Sequence, residues 1–148
     1  MNNNISLYTI GSGRKSAETF FTVLRQNNIK ILLDVRLNNN SQLAGFSKKD
    51  DLIFFLRELC GCAYEHLPQW APTKKILDEY KNKVISWTEY EEKFNEIIKA
   101  RDITKYINKN TLNQACLLCS EATPEQCHRR LLAECFKMHF KNVKICHL

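Results

Sequence analysis

The chain has 148 residues, a length typical of one domain that can bury its own hydrophobic core. Hydrophobic residues make up 44% and charged residues 26%, the balance of a soluble globular protein, and no apolar run approaches the ~20 residues of a membrane span. The first residues carry neither the basic nor the apolar region of a secretory signal, so we expect a cytoplasmic protein without membrane contact. The net charge of +6 favours an anionic partner, although the long basic block of a nucleic-acid-binding tail is missing.

The cysteine content indicates free thiols. The chain has seven cysteines, an odd number at irregular spacing, and a cytoplasmic chain of this kind is not expected to carry a disulfide framework. Four of them lie in apolar stretches, where a free cysteine packs as a small hydrophobic side chain. These are Cys60, Cys62, Cys135 and Cys146.

Hydrophobic periodicity predicts that strands and helices alternate in the first half of the chain. In chain order we expect a strand at Ile5–Ile10, a helix from Ser16, a strand at Lys30–Val35, a helix capped by Ser47 and a strand at Cys62–Leu67. The strand at Lys30–Val35 is almost continuously apolar, which is typical of a strand covered on both faces.

The same alternation continues to the end of the chain. We expect helices capped by Thr73 and Ser86, a buried strand at Ala115–Cys119, a helix to about Phe140 and a last strand at Val143–Cys146. Such alternation predicts an α/β fold: a single three-layer domain over residues 1–148, with a mostly parallel sheet of about five strands and helices on both faces. Ligands of such sheets bind beyond the carboxyl ends of the strands, so the functional residues are expected there.

Two of the strand ends allow an anion site and also a purely structural interpretation. Gly11-Ser12-Gly13-Arg14 follows the first strand and precedes a helix, so its amides could face an anion or form only a tight turn. Asp34 and Arg36 follow the second strand two positions apart and therefore point to the same face. They could pair as a structural ion bridge, or Arg36 could hold an anion.

The segment that follows Ala115–Cys119 is the most specific. Thr123-Pro124-Glu125-Gln126 has a capping residue, a proline at the first helical position and a glutamine at the third, which predicts a helix start. Cys127, His128 and Arg129 would then occupy the first two turns. A thiol at Cys119 that faces a helix start has a stabilised thiolate, and the same dipole favours a neutral His128 that can act as a base.

The two arginines of this segment oppose the helix dipole. Cations near a helix N-terminus are disfavoured by ~0.3–1 kcal/mol each, which indicates a compensating partner. One interpretation is an anionic ligand held between the helix amides, Arg129 and Arg36. In the other, Arg130 points to solvent and Arg129 pairs with Glu125.

These motifs carry a family resemblance. The matching stretches are Tyr8–Gly11, Leu33–Arg36, Ser41–Phe46, Tyr64–Pro68 and above all Leu118–Arg129. Through them the chain resembles domain-of-unknown-function family 488 (DUF488) over essentially its full length. The resemblance implies an α/β fold and a site that contains Cys119, Glu121, Cys127, His128 and Arg129, with Asp34 and Arg36 opposite. It implies no particular reaction.

The first functional hypothesis is a cysteine-dependent enzyme, a transferase or hydrolase that acts on a small anionic substrate such as a nucleotide or another phosphate ester. Cys119 would be the nucleophile, His128 the acid or base and Glu121 an orienting group. The residues expected to bind the anion or substrate are Gly11, Ser12, Arg14, Asp34, Arg36, Ser120, Cys127 and Arg129. No cofactor is predicted.

Three alternatives remain open at this point. Cys119 and Cys127, with His128 or His66, could hold zinc or iron. The exposed lysines Lys74, Lys75, Lys81 and Lys83 could bind nucleic acid through its phosphates. Cys127 and His128 could also be buried structure without a chemical role. The sequence leaves the oligomeric state open.

Overall fold

The computed structural model describes residues 4–40 and 45–148, and the expected match at 41–44 lies outside the described residues. Five strands alternate with six α-helices in this part of the chain. They are β1 (Ile5–Gly11), α1 (Ala17–Gln26), β2 (Ile31–Asp34), α2 (Lys49–Phe55), β3 (Ala63–His66), α3 (Lys74–Lys81), α4 (Trp87–Arg101), α5 (Lys109–Leu112), β4 (Ala115–Cys119), α6 (His128–His139) and β5 (Val143–His147). A π-helical turn, Leu56–Cys60, extends α2.

The strands form one sheet in the order β3-β2-β4-β1-β5, and all neighbouring strands are parallel. In the central pairing, Gly11 at the end of β1 lies opposite Cys119 at the end of β4. The predicted α/β fold with a five-stranded, largely parallel sheet is therefore confirmed.

Two hydrophobic cores, one on each face of the sheet, explain the three layers. On one face, Leu33 and Leu117 pack with Phe94 of α4 and Leu132 of α6. On the other face, Leu118 of β4 packs with Phe20 of α1 and Leu52 of α2. Adjacent strand residues point to opposite faces, so an apolar run such as that of β4 fills both cores.

The predicted caps Thr73 and Ser86 are present, and Ser16, from which a helix was expected, is also an N-cap. Ser16, Thr73 and Ser86 have extended backbones, and each side-chain oxygen accepts a hydrogen bond from the amide three residues later. These bonds satisfy amides that have no partner within the helix, which is why the local sequence fixes the starts of α1, α3 and α4.

Two predicted helix starts are wrong. Ser47 ends a short 3-10 turn, and the N-cap of α2 is Lys48, whose side chain makes no capping bond. The Thr123-Pro124 segment does not open α6, which begins at His128 with Cys127 as its N-cap. The backbone of Cys127 is extended (φ −142°, ψ 139°), as is typical of an N-cap, and its side chain contacts Cys119.

The connections place β4 at a topological switch point. The helix after β4 packs on one face of the sheet, whereas the helices after its neighbours β1 and β2 pack on the other. The chain segments that leave these strand ends diverge and open a crevice, the usual ligand site of such folds. Within the described residues, no helix is both long and apolar enough to cross a membrane.

Candidate functional site

A pocket of about 340 Å³ opens beyond the carboxyl ends of β2 and β4. This volume lies in the range of small-molecule sites. Six of the predicted site residues line it, namely Arg36, Cys119, Ser120, Glu121, Cys127 and His128. The other lining residues are Leu37, Asn38, Pro72, Leu77, Tyr80, Trp87, Tyr90 and Gln126.

The sulfur of Cys119 is the focus of the site. It accepts hydrogen bonds from Arg129 Nη1 at 2.8 Å, from the Cys127 thiol at 2.6 Å and from the Glu121 amide at 3.3 Å. Its side chain is 1% exposed, so these contacts replace water around the sulfur. Three donors and a positive charge form the environment of a thiolate rather than of a neutral thiol.

The ionisation of Cys119 differs from that of the other buried cysteines. Burial opposes the charged form, yet the bond from Cys127 and the charge and bond of Arg129 outweigh it and lower the pKa of Cys119. Burial raises the pKa of Cys62 to about 12 and also raises the pKa values of Cys60, Cys116 and Cys135. Cys146 is exposed, so the expectation that it packs as a core residue is wrong.

Cys127 and His128 form a second, proton-bearing part of the site. Burial, followed by its hydrogen bond with Cys119, raises the pKa of Cys127, so this sulfur keeps its proton. Burial lowers the pKa of His128 to about 4, so its ring is neutral. His128 Nε2 lies 2.6 Å from the Val35 carbonyl oxygen. Because a carbonyl oxygen only accepts hydrogen bonds, Nε2 carries the ring proton and donates it to Val35. The lone pair is then on Nδ1, 3.9 Å from the Cys127 sulfur.

Arg129 is fully buried and lies behind Cys119 instead of in the pocket wall. Besides Cys119, its guanidinium donates to the Glu121 carbonyl at 2.8 Å and to Thr9 Oγ1 at 3.3 Å. Within the described residues no salt bridge joins Arg129 to Glu125, and Arg129 Nη2 is buried without a hydrogen-bond partner. The group beside Nη1 that can carry a balancing negative charge is Cys119. Arg130 points outward and pairs with Glu91 and Glu134.

Asp34 and Arg36 form a buried ion pair. Asp34 Oδ1 accepts from Arg36 Nε at 2.8 Å, and Asp34 Oδ2 accepts from Arg36 Nη2 at 2.7 Å. Tyr64 also donates to Asp34, and Arg36 Nη2 donates to the Ser47 carbonyl. The structural interpretation of this pair therefore holds, although Arg36 also lines the pocket.

The glycine-rich turn after β1 supports the site without lining the pocket. A Cβ on Gly11 would meet the Glu121 carbonyl at 1.6 Å and Arg129 Nη1 at 2.6 Å, so only glycine allows the loop after β4 to approach. The Ser12 amide donates to the Cys119 carbonyl at 3.0 Å. Arg14 is exposed on this turn. Gly11, Ser12 and Arg14 are not among the residues that line the pocket.

An aromatic wall that the sequence did not assign to the site closes one side of the pocket. Trp87 and Tyr90 are stacked at 4.8 Å between ring centroids, and Tyr80 contacts both. The Tyr80 hydroxyl donates to Gln126 at 2.8 Å and ties the wall to the loop before α6. Trp70, by contrast, is a core residue that packs against Phe136.

The proposed metal ligands Cys119, Cys127 and His128 lie together but do not form a metal-binding group. Among residues 4–40 and 45–148, no group of three or more His, Cys, Asp or Glu side chains could hold a metal ion. His66 contacts the Arg36 carbonyl through Nε2, and His128 uses Nε2 on Val35. Two of the lysines considered for nucleic acid, Lys74 and Lys75, pair with acidic residues one turn later.

Comparison with known proteins gives one result. No curated protein and no solved structure shows significant similarity to the chain. The family model described as "Domain of unknown function DUF488" matches residues 16–136 of the 148 residues, a range that includes β2, β4 and the start of α6. The resemblance inferred from the motifs is thus confirmed, and the chain belongs to the DUF488 family.

Proposed function

We propose that this protein is a cytoplasmic, cysteine-dependent enzyme, a transferase or hydrolase, that acts on a small anionic substrate with a planar ring, such as a nucleotide. The observation that carries the proposal is the contact of 2.8 Å between Arg129 Nη1 and the Cys119 sulfur, which lines a pocket of ligand size, because this cation favours the thiolate form of Cys119. A thiolate at neutral pH is a nucleophile, whereas a buried thiol without such partners is inert.

The pocket offers partners for the reacting groups. Cys119 would attack an electrophilic carbon or phosphorus atom of the substrate and displace a leaving group. The Cys127 thiol, 2.6 Å from Cys119, is the nearest proton donor, and the neutral His128 could return or remove that proton through Nδ1. The Glu121 carboxylate lines the pocket and would orient the substrate or an attacking water molecule.

The shape and charge of the pocket support the substrate class. The stacked rings of Trp87 and Tyr90 provide a flat surface, and a planar ring can stack on such a surface. Asn38 and Gln126 line the same pocket and carry amide donors and acceptors that suit the edge of a base. The start of α6 favours an anionic group near Cys119.

Binding and covalent chemistry can be tested separately. Nucleoside mono-, di- and triphosphates are added to the reduced protein, and tryptophan fluorescence reports binding at Trp87, with Trp87→Phe as the variant that loses the signal. Acid-quenched samples are analysed by mass spectrometry for an adduct on Cys119, with Cys119→Ser as the control that binds without an adduct. The proposal predicts both signals for at least one nucleotide, and the absence of both would contradict it.

A further inference from the structure

The sulfur atoms of Cys119 and Cys127 lie 2.6 Å apart. A disulfide bond is about 2.0 Å long, so bond formation requires the two sulfurs to approach by only about half an ångström. Both thiols are free, and no other two cysteine sulfurs of the chain, all of which the structure describes, lie within hydrogen-bond distance of each other. The site therefore holds one pair of thiols arranged for a disulfide.

The two thiols differ in their hydrogen-bond partners, and this difference suits a two-step oxidation in which one sulfur reacts first and the other completes the disulfide. Cys119 accepts from Arg129 and from the Glu121 amide, and these donors favour its thiolate. Cys127 is the proton donor of the pair, and His128 Nδ1 faces its sulfur. Attack by a thiolate, followed by attack from a neighbouring thiol that loses its proton, is the usual route to a disulfide.

We propose that hydrogen peroxide converts Cys119 and Cys127 into a reversible disulfide, and that this bond switches off the nucleophile of the site. The first half of this proposal stands on the dithiol geometry alone, and the second half rests on the proposed function. Cys119 and Cys127 are only 1% and 2% exposed, so a small oxidant reaches their sulfurs more easily than a bulky one. Hydrogen peroxide, a molecule near the size of water, therefore fits better as the oxidant than a bulky small-molecule disulfide.

The chemistry balances without a further reactant. The Cys119 thiolate attacks one oxygen of the peroxide, the O–O bond breaks, and the products are a sulfenic acid on Cys119 and a hydroxide ion. The Cys127 sulfur then attacks the Cys119 sulfur, the S–O bond breaks, and the proton of Cys127 leaves with the hydroxyl as water, through His128 or directly. Overall, the two sulfurs lose two electrons and the peroxide gains them.

The test uses the full chain, reduced and freed of reductant, with one equivalent of hydrogen peroxide at neutral pH. After alkylation of the remaining thiols, intact mass and peptide mapping should show the loss of two hydrogens and a Cys119–Cys127 cross-link that dithiothreitol reverses. In Cys127→Ser, oxygen should add to Cys119 instead, because no second sulfur resolves the sulfenic acid. Cys127→Ala should behave in the same way, and Cys146→Ser should form the cross-link as the unmodified chain does.

Two outcomes would overturn the switch: oxygen adducts on Cys119 of the unmodified chain without a cross-link, or a cross-link that involves another cysteine. Iodoacetamide labelling of the reduced protein separates this failure from that of the proposed function. Fast labelling of Cys119 without a cross-link after oxidation would overturn the disulfide and leave the nucleophile standing. Slow labelling with a cross-link would overturn the nucleophile, and with it the second half of the proposal, but not the disulfide.

Discussion

Arg129 Nη1 donates a hydrogen bond to the Cys119 sulfur at 2.8 Å, from the first turn of α6, where a cation is disfavoured by the helix dipole. The guanidinium is fully buried, and beside it lies Cys119, whose pKa it lowers and whose thiolate would carry the balancing negative charge. A buried cation requires such a partner, and a buried thiolate requires such a cation. Each residue therefore stabilises the charged form of the other.

Replacement of Arg129 should weaken the Cys119 thiolate. A hydrogen bond to a charged group contributes about 1.5–3 kcal/mol, which corresponds to a rise of about one to two units in the pKa of Cys119. Arg129→Met should therefore slow the alkylation of Cys119 at pH 6 by roughly tenfold or more. The measurement is the pH profile of the alkylation rate, followed by mass spectrometry.

The neighbouring arginine provides a matched control for this experiment. Arg130 pairs with Glu91 and Glu134 at the surface, so Arg130→Met makes the same change in side chain without a contact to Cys119. It should leave the alkylation profile unchanged. If both substitutions slowed the alkylation of Cys119 equally, Arg129 would act only through its positive charge at the start of α6 and not through its hydrogen bond to the sulfur.

Loss of Asp34 should destabilise the fold strongly. Asp34→Asn removes the negative charge that pairs with the buried Arg36, and breaking a buried ion pair in this way costs about 3–5 kcal/mol. The free energy of unfolding in urea measures the change. Asp78→Asn breaks the exposed pair with Lys74 and should cost at most about 1 kcal/mol, so similar losses in the two variants would contradict the structural role of Asp34.

His128 should make stability depend on pH in the acid range. Its pKa is about 4 in the fold and 6.5 ordinarily, so between these values the unfolded chain binds more protons and stability falls as the pH falls. The loss reaches about 3 kcal/mol once the pH is below 4. Burial and, to a smaller extent, the charge of Arg129 lower the pKa of the ring, whereas the hydrogen bond with the Val35 carbonyl and the charge of Asp34 raise it.

The variant His128→Gln isolates this contribution. Glutamine can still donate to the Val35 carbonyl but does not titrate, so the variant should lose less stability between pH 7 and pH 4 than the unmodified chain. His147, whose pKa burial also lowers, contributes in the same direction to both proteins and cancels in the difference. Parallel pH profiles of the unfolding free energy would refute the assignment to His128.

Gly11 should be essential for the approach of the loop after β4. In Gly11→Ala the new methyl group would meet the Glu121 carbonyl at 1.6 Å, so this loop has to move and the donors to Cys119 move with it. We expect both a lower unfolding free energy and slower alkylation of Cys119. Gly45→Ala is the control, because no atom of the described residues lies within 4 Å of its Cβ position, and it should change neither quantity.

The fold could be predicted because its signals are local or periodic. The apolar run of β4 and the capping serine of α4 each determine their element within a short stretch of chain. The strand ends then followed from the rule that parallel sheets bind ligands at their carboxyl edge. In this way Cys119, Cys127 and His128 could be placed together before the structure was known.

The remaining features of the site depend on contacts between distant parts of the chain. The start of α6 was misplaced because the local capping pattern at Thr123 does not reveal that Cys127, four residues later, is the N-cap and contacts Cys119. Arg129 was expected to face a ligand, since its burial behind Cys119 is visible only in three dimensions. The wall formed by Tyr80 and Trp87 was missed because inward-facing aromatic residues are typical of any core.

The central claim is that Cys119 is a thiolate at a pH where ordinary thiols are not, and one labelling experiment tests it most directly. The reduced, folded protein is treated with limiting iodoacetamide at pH 6 and at pH 9, and peptide mapping ranks the seven cysteines. At pH 6 we predict that Cys119, although 1% exposed, labels faster than the exposed Cys146, with a smaller difference at pH 9. Faster labelling of Cys146 than of Cys119 at pH 6 would contradict the account.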